Sequence, residues 1–103
     1  MNYIQILRIF QGVENADRDA YMKLQVAKAV INNIDTYAYD EEGFNEVCER
    51  IFDYWWKNVN AISLPSFCAG IQEALDEAED GNQFVNAYTM KKGWKYGLAL
   101  EGK

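Results

Sequence analysis

The sequence predicts an all-α fold, in the form of a small single-domain bundle of about five helices. Apolar residues recur at helical spacing in five segments, and no segment alternates cleanly between apolar and polar residues as a half-buried strand does. Glycine, asparagine and proline separate these segments at short intervals. With 103 residues and only one proline, the chain suits a single helical domain spanning residues 1–103.

The clearest helical pattern lies in residues 44–56, the third predicted helix. Its apolar positions share one side of a helix that turns by about 100° per residue, and they are Phe44, Val47, Cys48, Ile51, Phe52 and Trp55. The opposite side carries four carboxylates, which we call the first acidic row: Glu42, Glu46, Glu49 and Asp53. Asp40 is the predicted N-cap, and the helix is expected to run to about residue 58. We expect this helix to be central and to pack on the fourth and fifth.

Two helices are predicted before this segment. Residues 2–10 show helical spacing and are followed by Gly12, which suits a helix C-terminus. Asn15 is a good N-cap for a second helix that runs to about residue 35.

Two further helices are predicted after it. The fourth begins at Pro65, because proline suits the first helical position, and Gly81 stops it. Its polar side carries a second acidic row: Glu73, Asp76, Glu77 and Asp80. The fifth helix covers residues 83–100 and contains Gly93 and Gly97, one turn apart. Glycine weakens a helix interior, so this pair indicates close packing against a neighbouring helix.

The residue inventory excludes several kinds of catalytic centre. The chain has no histidine, which rules out Ser-His-Asp and Cys-His nucleophile systems and zinc sites that contain histidine. Neither a phosphate-binding lysine loop nor a glycine-rich dinucleotide turn is present. Of the two cysteines, Cys48 lies on an apolar stripe, and we expect both to be ordinary buried thiols rather than a disulfide. No cofactor is predicted.

Charge is distributed unevenly along the chain, whose formal net charge is −6. Residues 1–34 carry a net charge of +1, residues 35–81 carry −10 and residues 82–103 carry +3. The acidic middle would be repelled by nucleic acid phosphates and by anionic lipid, and it would attract basic proteins. No membrane span or signal peptide is apparent, so a cytoplasmic location is the default expectation.

One spacing of carboxylates suggests an enzyme. Glu46 and Glu49 are three residues apart, as are Glu73 and Asp76 further along the chain. This ExxE…ExxD arrangement resembles that of the MazG-type all-α nucleoside triphosphate pyrophosphohydrolases. The resemblance implies that the four carboxylates grip Mg²⁺ for hydrolysis of a nucleotide. The other interpretation of the same residues is a solvent-exposed acidic surface, which sixteen acidic residues in 103 readily produce.

The main functional hypothesis from the sequence is a non-catalytic protein-binding module. If the two acidic rows are neighbours, they form one negative surface that can dock on a basic, nucleic-acid-binding partner protein. Small acidic inhibitors of phages and mobile elements, including anti-CRISPR proteins and DNA mimics, offer an analogy of charge and size. The predicted partner-binding residues are the two acidic rows together with Tyr54 and Trp56.

A third hypothesis is a homodimer, and it concerns the fifth predicted helix and two aromatic residues of the third. Tyr54 and Trp56 flank the apolar stripe of the third predicted helix, where they either complete the core or anchor an interface. The chain is therefore predicted to be a monomer or a homodimer, and in the latter case it is a structural subunit that dimerises through the fifth helix and these aromatic residues.

Overall fold

The computed structural model describes residues 18–36, 39–78 and 84–103, and these residues contain four α-helices and no strand. The helices are α1 (Arg18–Asn33), α2 (Glu41–Trp56), α3 (Leu64–Asp76) and α4 (Ala87–Leu100). The predicted all-α class is confirmed for this part of the chain, with four helices where about five were expected. The predicted helix at residues 2–10 and the predicted cap Asn15 lie outside the described residues.

Helix α2 forms as its local sequence predicts. Asp40 is its N-cap, and the Asp40 carboxylate accepts a hydrogen bond of 2.7 Å from the backbone N–H of Gly43. Glu41 and Glu42 occupy the first turn, where the helix dipole favours negative charge. The helix ends at Trp56, slightly before the expected boundary. Its buried residues all belong to the predicted apolar stripe: Phe44, Val47, Cys48, Ile51 and Trp55.

The boundaries of α3 and α4 differ from the prediction because side chains outside the apolar pattern cap them. Ser63 is the N-cap of α3, so the helix begins at Leu64 and Pro65 takes the second helical position rather than the first. Asn86 and Thr89 form a reciprocal capping box that starts α4 at residue 87, not at residue 83. Helix α3 ends at Asp76, well before Gly81.

Helices α3 and α4 approach each other more closely than any other pair of described helices. Gly70 of α3 faces Gly93 and Gly97 of α4, and a Cβ at Gly70 would lie 2.7 Å from the backbone nitrogen of Gly97. A Cβ at Gly93 would lie 2.9 Å from Cα of Ile71. Real Cβ atoms essentially never make such short contacts, so only glycine permits this backbone separation. The close packing predicted from Gly93 and Gly97 is confirmed.

Helix α2 meets α3 and α4 chiefly through long side chains. The ring of Tyr54 lies 5.6 Å from that of Phe67 and 5.7 Å from that of Trp94. The indole N–H of Trp55 donates a 2.9 Å hydrogen bond to the carbonyl of Ile62. The prediction that α2 packs centrally on the next two helices is therefore corrected: the closest backbone approach is between α3 and α4, while α1 packs against both α2 and α3.

The core forms where these four helices meet. Its largest fully buried side chains come from α1, α2 and α3: Leu24, Val26, Val30, Ile51, Phe67, Cys68 and Ile71. Across the three described stretches, no helix has the length and apolar character needed to cross a membrane.

Candidate functional site

The first acidic row lies along the solvent-facing side of α2. Glu42, Glu46, Glu49 and Asp53 are all exposed, while the opposite side of the helix is buried in the core. Helical spacing brings successive members of the row within about 5–6 Å at Cβ. The row is thus a continuous line of negative charge on a rigid element.

Only one carboxylate of this row is ion-paired with another described residue. Glu46 pairs with Arg50, four residues further along α2, and Arg50 also donates a 3.1 Å hydrogen bond to the carbonyl of Val85. Asp53 and Lys57 are also four residues apart, but they form no ion pair although the structure describes both residues. Within the described part of the chain, most of the negative charge of the row is therefore uncompensated.

The second acidic row is less uniform. Glu73, Asp76 and Glu77 are exposed on α3 and its C-cap, whereas Asp80 lies outside the described residues. Glu77 accepts a hydrogen bond from the hydroxyl of Tyr96, which raises the pKa of that phenol, and lies 3.5 Å from the ammonium of Lys92. Lys92 of α4 thus partly neutralises the negative charge of Glu77, at the end of this row.

The described members of the second row lie on α3 and its C-cap, whereas the first row lies on α2. Helices α2 and α3 approach each other less closely than α3 approaches α4. The two rows therefore do not lie on the most closely packed pair of helices.

The four carboxylates of the hydrolase alternative are all described. Glu46 and Glu49 project from α2, and Glu73 and Asp76 from α3. Among the residues whose positions are given, no three histidine, cysteine or acidic side chains form a group that could hold a metal ion. The convergence that a Mg²⁺ site would require of these residues is not seen.

The two predicted aromatic anchors lie in different environments. Tyr54 packs between Phe67 and Trp94 and contributes to the core. Trp56 is 38% exposed and stacks on Phe52, with the ring centroids 5.5 Å apart. Helical spacing from Asp53 to Trp56 places the indole beside the acidic row. Trp56 is therefore the aromatic residue that can contribute to a surface here.

A cavity lies beside the first half of α2, and the sequence did not predict it. It has a volume of about 450 Å³ and is lined by Tyr39, Asp40, Gly43, Glu46, Val47, Arg50, Phe84 and Val85. We call it the Tyr39–Phe84 pocket. The Tyr39 hydroxyl accepts a 2.8 Å hydrogen bond from the backbone N–H of Val85, and the ring of Phe84 meets that of Tyr39 edge-on at 5.4 Å. The only signal in the sequence was the pair of tyrosines in the connector before α2.

Neither cysteine adds a nucleophile to these surfaces. Cys48 and Cys68 are both buried and free, as predicted. Burial raises the pKa of the Cys48 thiol, and it raises the pKa of Cys68 to about 12. Both side chains are protonated near neutral pH and act as small apolar groups.

Comparisons with protein families, curated proteins and solved structures give no match to this chain.

Proposed function

We propose that the protein is a non-catalytic protein-binding module that presents the first acidic row to a basic partner protein. The observation that carries the proposal is the exposure of all four carboxylates on one side of α2, with only Glu46 ion-paired among the described residues. Such a line of like charge attracts a basic surface at long range and orients it on encounter.

Trp56 gives the acidic row an apolar neighbour. Its partly exposed indole lies on the same side of α2 as Asp53 and is supported by the ring of Phe52. An arginine of the partner can pair with the carboxylate while its planar guanidinium lies over the indole. Interfaces often concentrate binding energy on such an aromatic residue, which favours specific docking over diffuse attraction.

The narrower form of the proposal concerns the partner. A groove built to bind nucleic acid phosphates is a basic surface that a line of carboxylates on a rigid helix can occupy. The module would then act as a small inhibitor of a nucleic-acid-processing enzyme, in the manner of phage inhibitors such as anti-CRISPR proteins and DNA mimics. Charge, size and the exposure of the first acidic row support this form.

Charge reversal tests the proposal. Replacing Glu46, Glu49 and Asp53 with lysine should abolish capture of basic proteins from the native cell extract, because all three positions are exposed on one face. A matched variant, Lys91→Glu with Lys95→Glu, changes exposed charges on α4 and should leave capture intact. Circular dichroism should show unchanged helix content in both. Recovery of the same proteins by the triple variant would reject the proposal.

A further inference from the structure

We propose that the Tyr39–Phe84 pocket binds one arginine or lysine side chain of the basic partner. This inference rests on the proposed function and names the contact that would anchor the partner. The pocket volume of about 450 Å³ lies within the range of small-ligand sites and exceeds what a single basic side chain needs.

The walls of the pocket are held in place by contacts between distant parts of the chain. The hydroxyl of Tyr39 accepts a hydrogen bond from the N–H of Val85, while the carbonyl of Val85 accepts one from Arg50. These two bonds tie the segment before α4 to α2 and to the connector before α2. A site held by such bonds loses little conformational freedom when a ligand enters.

The charges around the pocket select a cation. Among the described residues that line the pocket, Asp40 and Glu46 contribute two carboxylates and Arg50 contributes one guanidinium. That guanidinium already pairs with Glu46 and donates to Val85. A neighbouring depression continues the negative surface and is lined by Asp40, Glu41, Glu42 and Asn45. An anionic guest would meet this surface with like charge.

The aromatic wall suits the same guest. Phe84 is 54% exposed, and its ring meets that of Tyr39 edge-on at 5.4 Å. A guanidinium or an ammonium is attracted to the face of such a ring, and its apolar stem gains from contact with the ring. Carboxylates with an aromatic wall are a chemical match for arginine or lysine.

The pocket also adjoins the surface on which the partner is proposed to dock. Glu46 belongs both to the first acidic row and to the lining of the pocket. A basic partner that lies along the row therefore has its side chains within reach of the pocket.

The test uses small probes and needs no identified partner. The wild-type protein is titrated with N-acetyl-arginine methylamide, with the lysine counterpart, and with the neutral citrulline counterpart. The amide NMR signals of Gly43 and Val85 report on the pocket, because both N–H groups bond to residues that line it. We expect saturable shifts of these signals with arginine or lysine and none with citrulline.

Two variants locate the binding. Phe84→Ala should weaken binding of the arginine probe by about 2- to 30-fold, the range expected from loss of a cation–π contact. Tyr88→Ala removes an exposed aromatic ring of α4 that lies outside the pocket lining and should leave probe affinity unchanged. Equal shifts with citrulline, or equal affinity in Phe84→Ala, would overturn the pocket assignment.

The same variants separate this inference from the proposed function. If Phe84→Ala captures the partner as wild type does while reversal of the first acidic row abolishes capture, the pocket inference is wrong and the proposed function stands. If the arginine probe binds the pocket but reversal of the row leaves capture unchanged, the pocket assignment stands and the proposed function is wrong.

Discussion

At the scale of single residues, burial determines the chemistry of the two cysteines. Cys48 and Cys68 are buried in the core, and burial raises the pKa of both thiols, that of Cys68 to about 12. Because the thiolate is the reactive form, neither side chain should react with thiol reagents while the protein is folded. Labelling with a chromogenic disulfide reagent should be slow in native buffer and immediate in guanidinium chloride. Rapid labelling of the native protein would contradict the burial of these residues.

The same raised pKa values have a consequence for stability. An unfolded chain releases its thiol protons near the ordinary pKa of 9.0, whereas the folded chain keeps the proton of Cys68 up to about 12. The folded state thus binds more protons in this window, so the free energy of unfolding should fall as pH rises through it. Urea unfolding from about pH 8 to about pH 11 measures this slope. Replacing both cysteines with alanine should lower overall stability but flatten the slope.

The sequence predicted the exposure of residues on α2 well, because helical periodicity alone separates the acidic row from the apolar stripe. It did not distinguish Tyr54 from Trp56. Tyr54 enters the core because Phe67 and Trp94 from two other helices meet its ring. Trp56 stacks on Phe52, lies 6.2 Å from the ring of Trp55 of the same helix, and stays 38% exposed. Such a difference depends on tertiary neighbours that the local pattern does not contain.

At the scale of elements, the α3–α4 contact depends on the absence of side chains. Gly93→Ala would improve intrinsic helix propensity by about 1 kcal/mol. The added methyl would meet the backbone of Ile71 at 2.9 Å, so the helices would have to separate. We expect a net loss of about 1–3 kcal/mol in the free energy of unfolding. Denaturant unfolding measures it, with Lys91→Ala on the exposed side of α4 expected within about 0.5 kcal/mol of wild type. A stabilised Gly93→Ala variant would refute the close packing.

Glu101 joins the end of α4 to the start of α3. Its carboxylate accepts a 2.7 Å hydrogen bond from the backbone N–H of Ser63, and contacts with Ser63 and Ser66 lower its pKa from 4.5 to about 2. The stabilisation is therefore present above pH 4.5 and should be lost as pH falls towards 2. Glu101→Gln should lower the Tm at neutral pH, and the difference from wild type should shrink in acid. A difference that stays constant across this range would exclude the charged contact.

The start of a helix was predictable only where the cap residue directly precedes the apolar stripe. Asp40 and the start of α2 follow directly from the sequence, since an acidic N-cap precedes an apolar stripe. The start of α4 does not, because the predicted fifth helix begins at residue 83 and therefore includes Phe84. In the structure Phe84 instead meets Tyr39, and the capping box of Asn86 and Thr89 begins the helix after it.

At the scale of the whole molecule, the described surface lacks a large apolar face. The exposed large hydrophobic residues are dispersed: Trp56 ends α2, Phe84 precedes α4, and Tyr88 and Leu100 lie near opposite ends of α4. Stable dimers usually bury a continuous apolar patch. Light scattering should therefore give the mass of one chain, 11.9 kDa. Twice this mass, reduced to one chain by Tyr88→Lys on the exposed face of α4, would establish instead the homodimer predicted as an alternative.

The fold class and the acidic character of the middle of the chain could be predicted because both depend on local patterns. The arrangement of the carboxylates in space could not, since spacing along two helices does not determine how those helices are oriented. The Tyr39–Phe84 pocket also joins residues 45 positions apart, which no short motif links. The arrangement of the carboxylates and the pocket are therefore visible only in the structure.

The central claim is that the first acidic row binds a basic partner through its charge. The most direct measurement is the Kd of the captured partner as salt rises from about 0.05 to about 0.5 M, over which surface charges become screened. The wild-type protein should lose affinity steeply, and Glu49→Gln with Asp53→Asn should bind more weakly and with a shallower dependence on salt. A Kd that is insensitive to salt and identical in the variant would contradict the account.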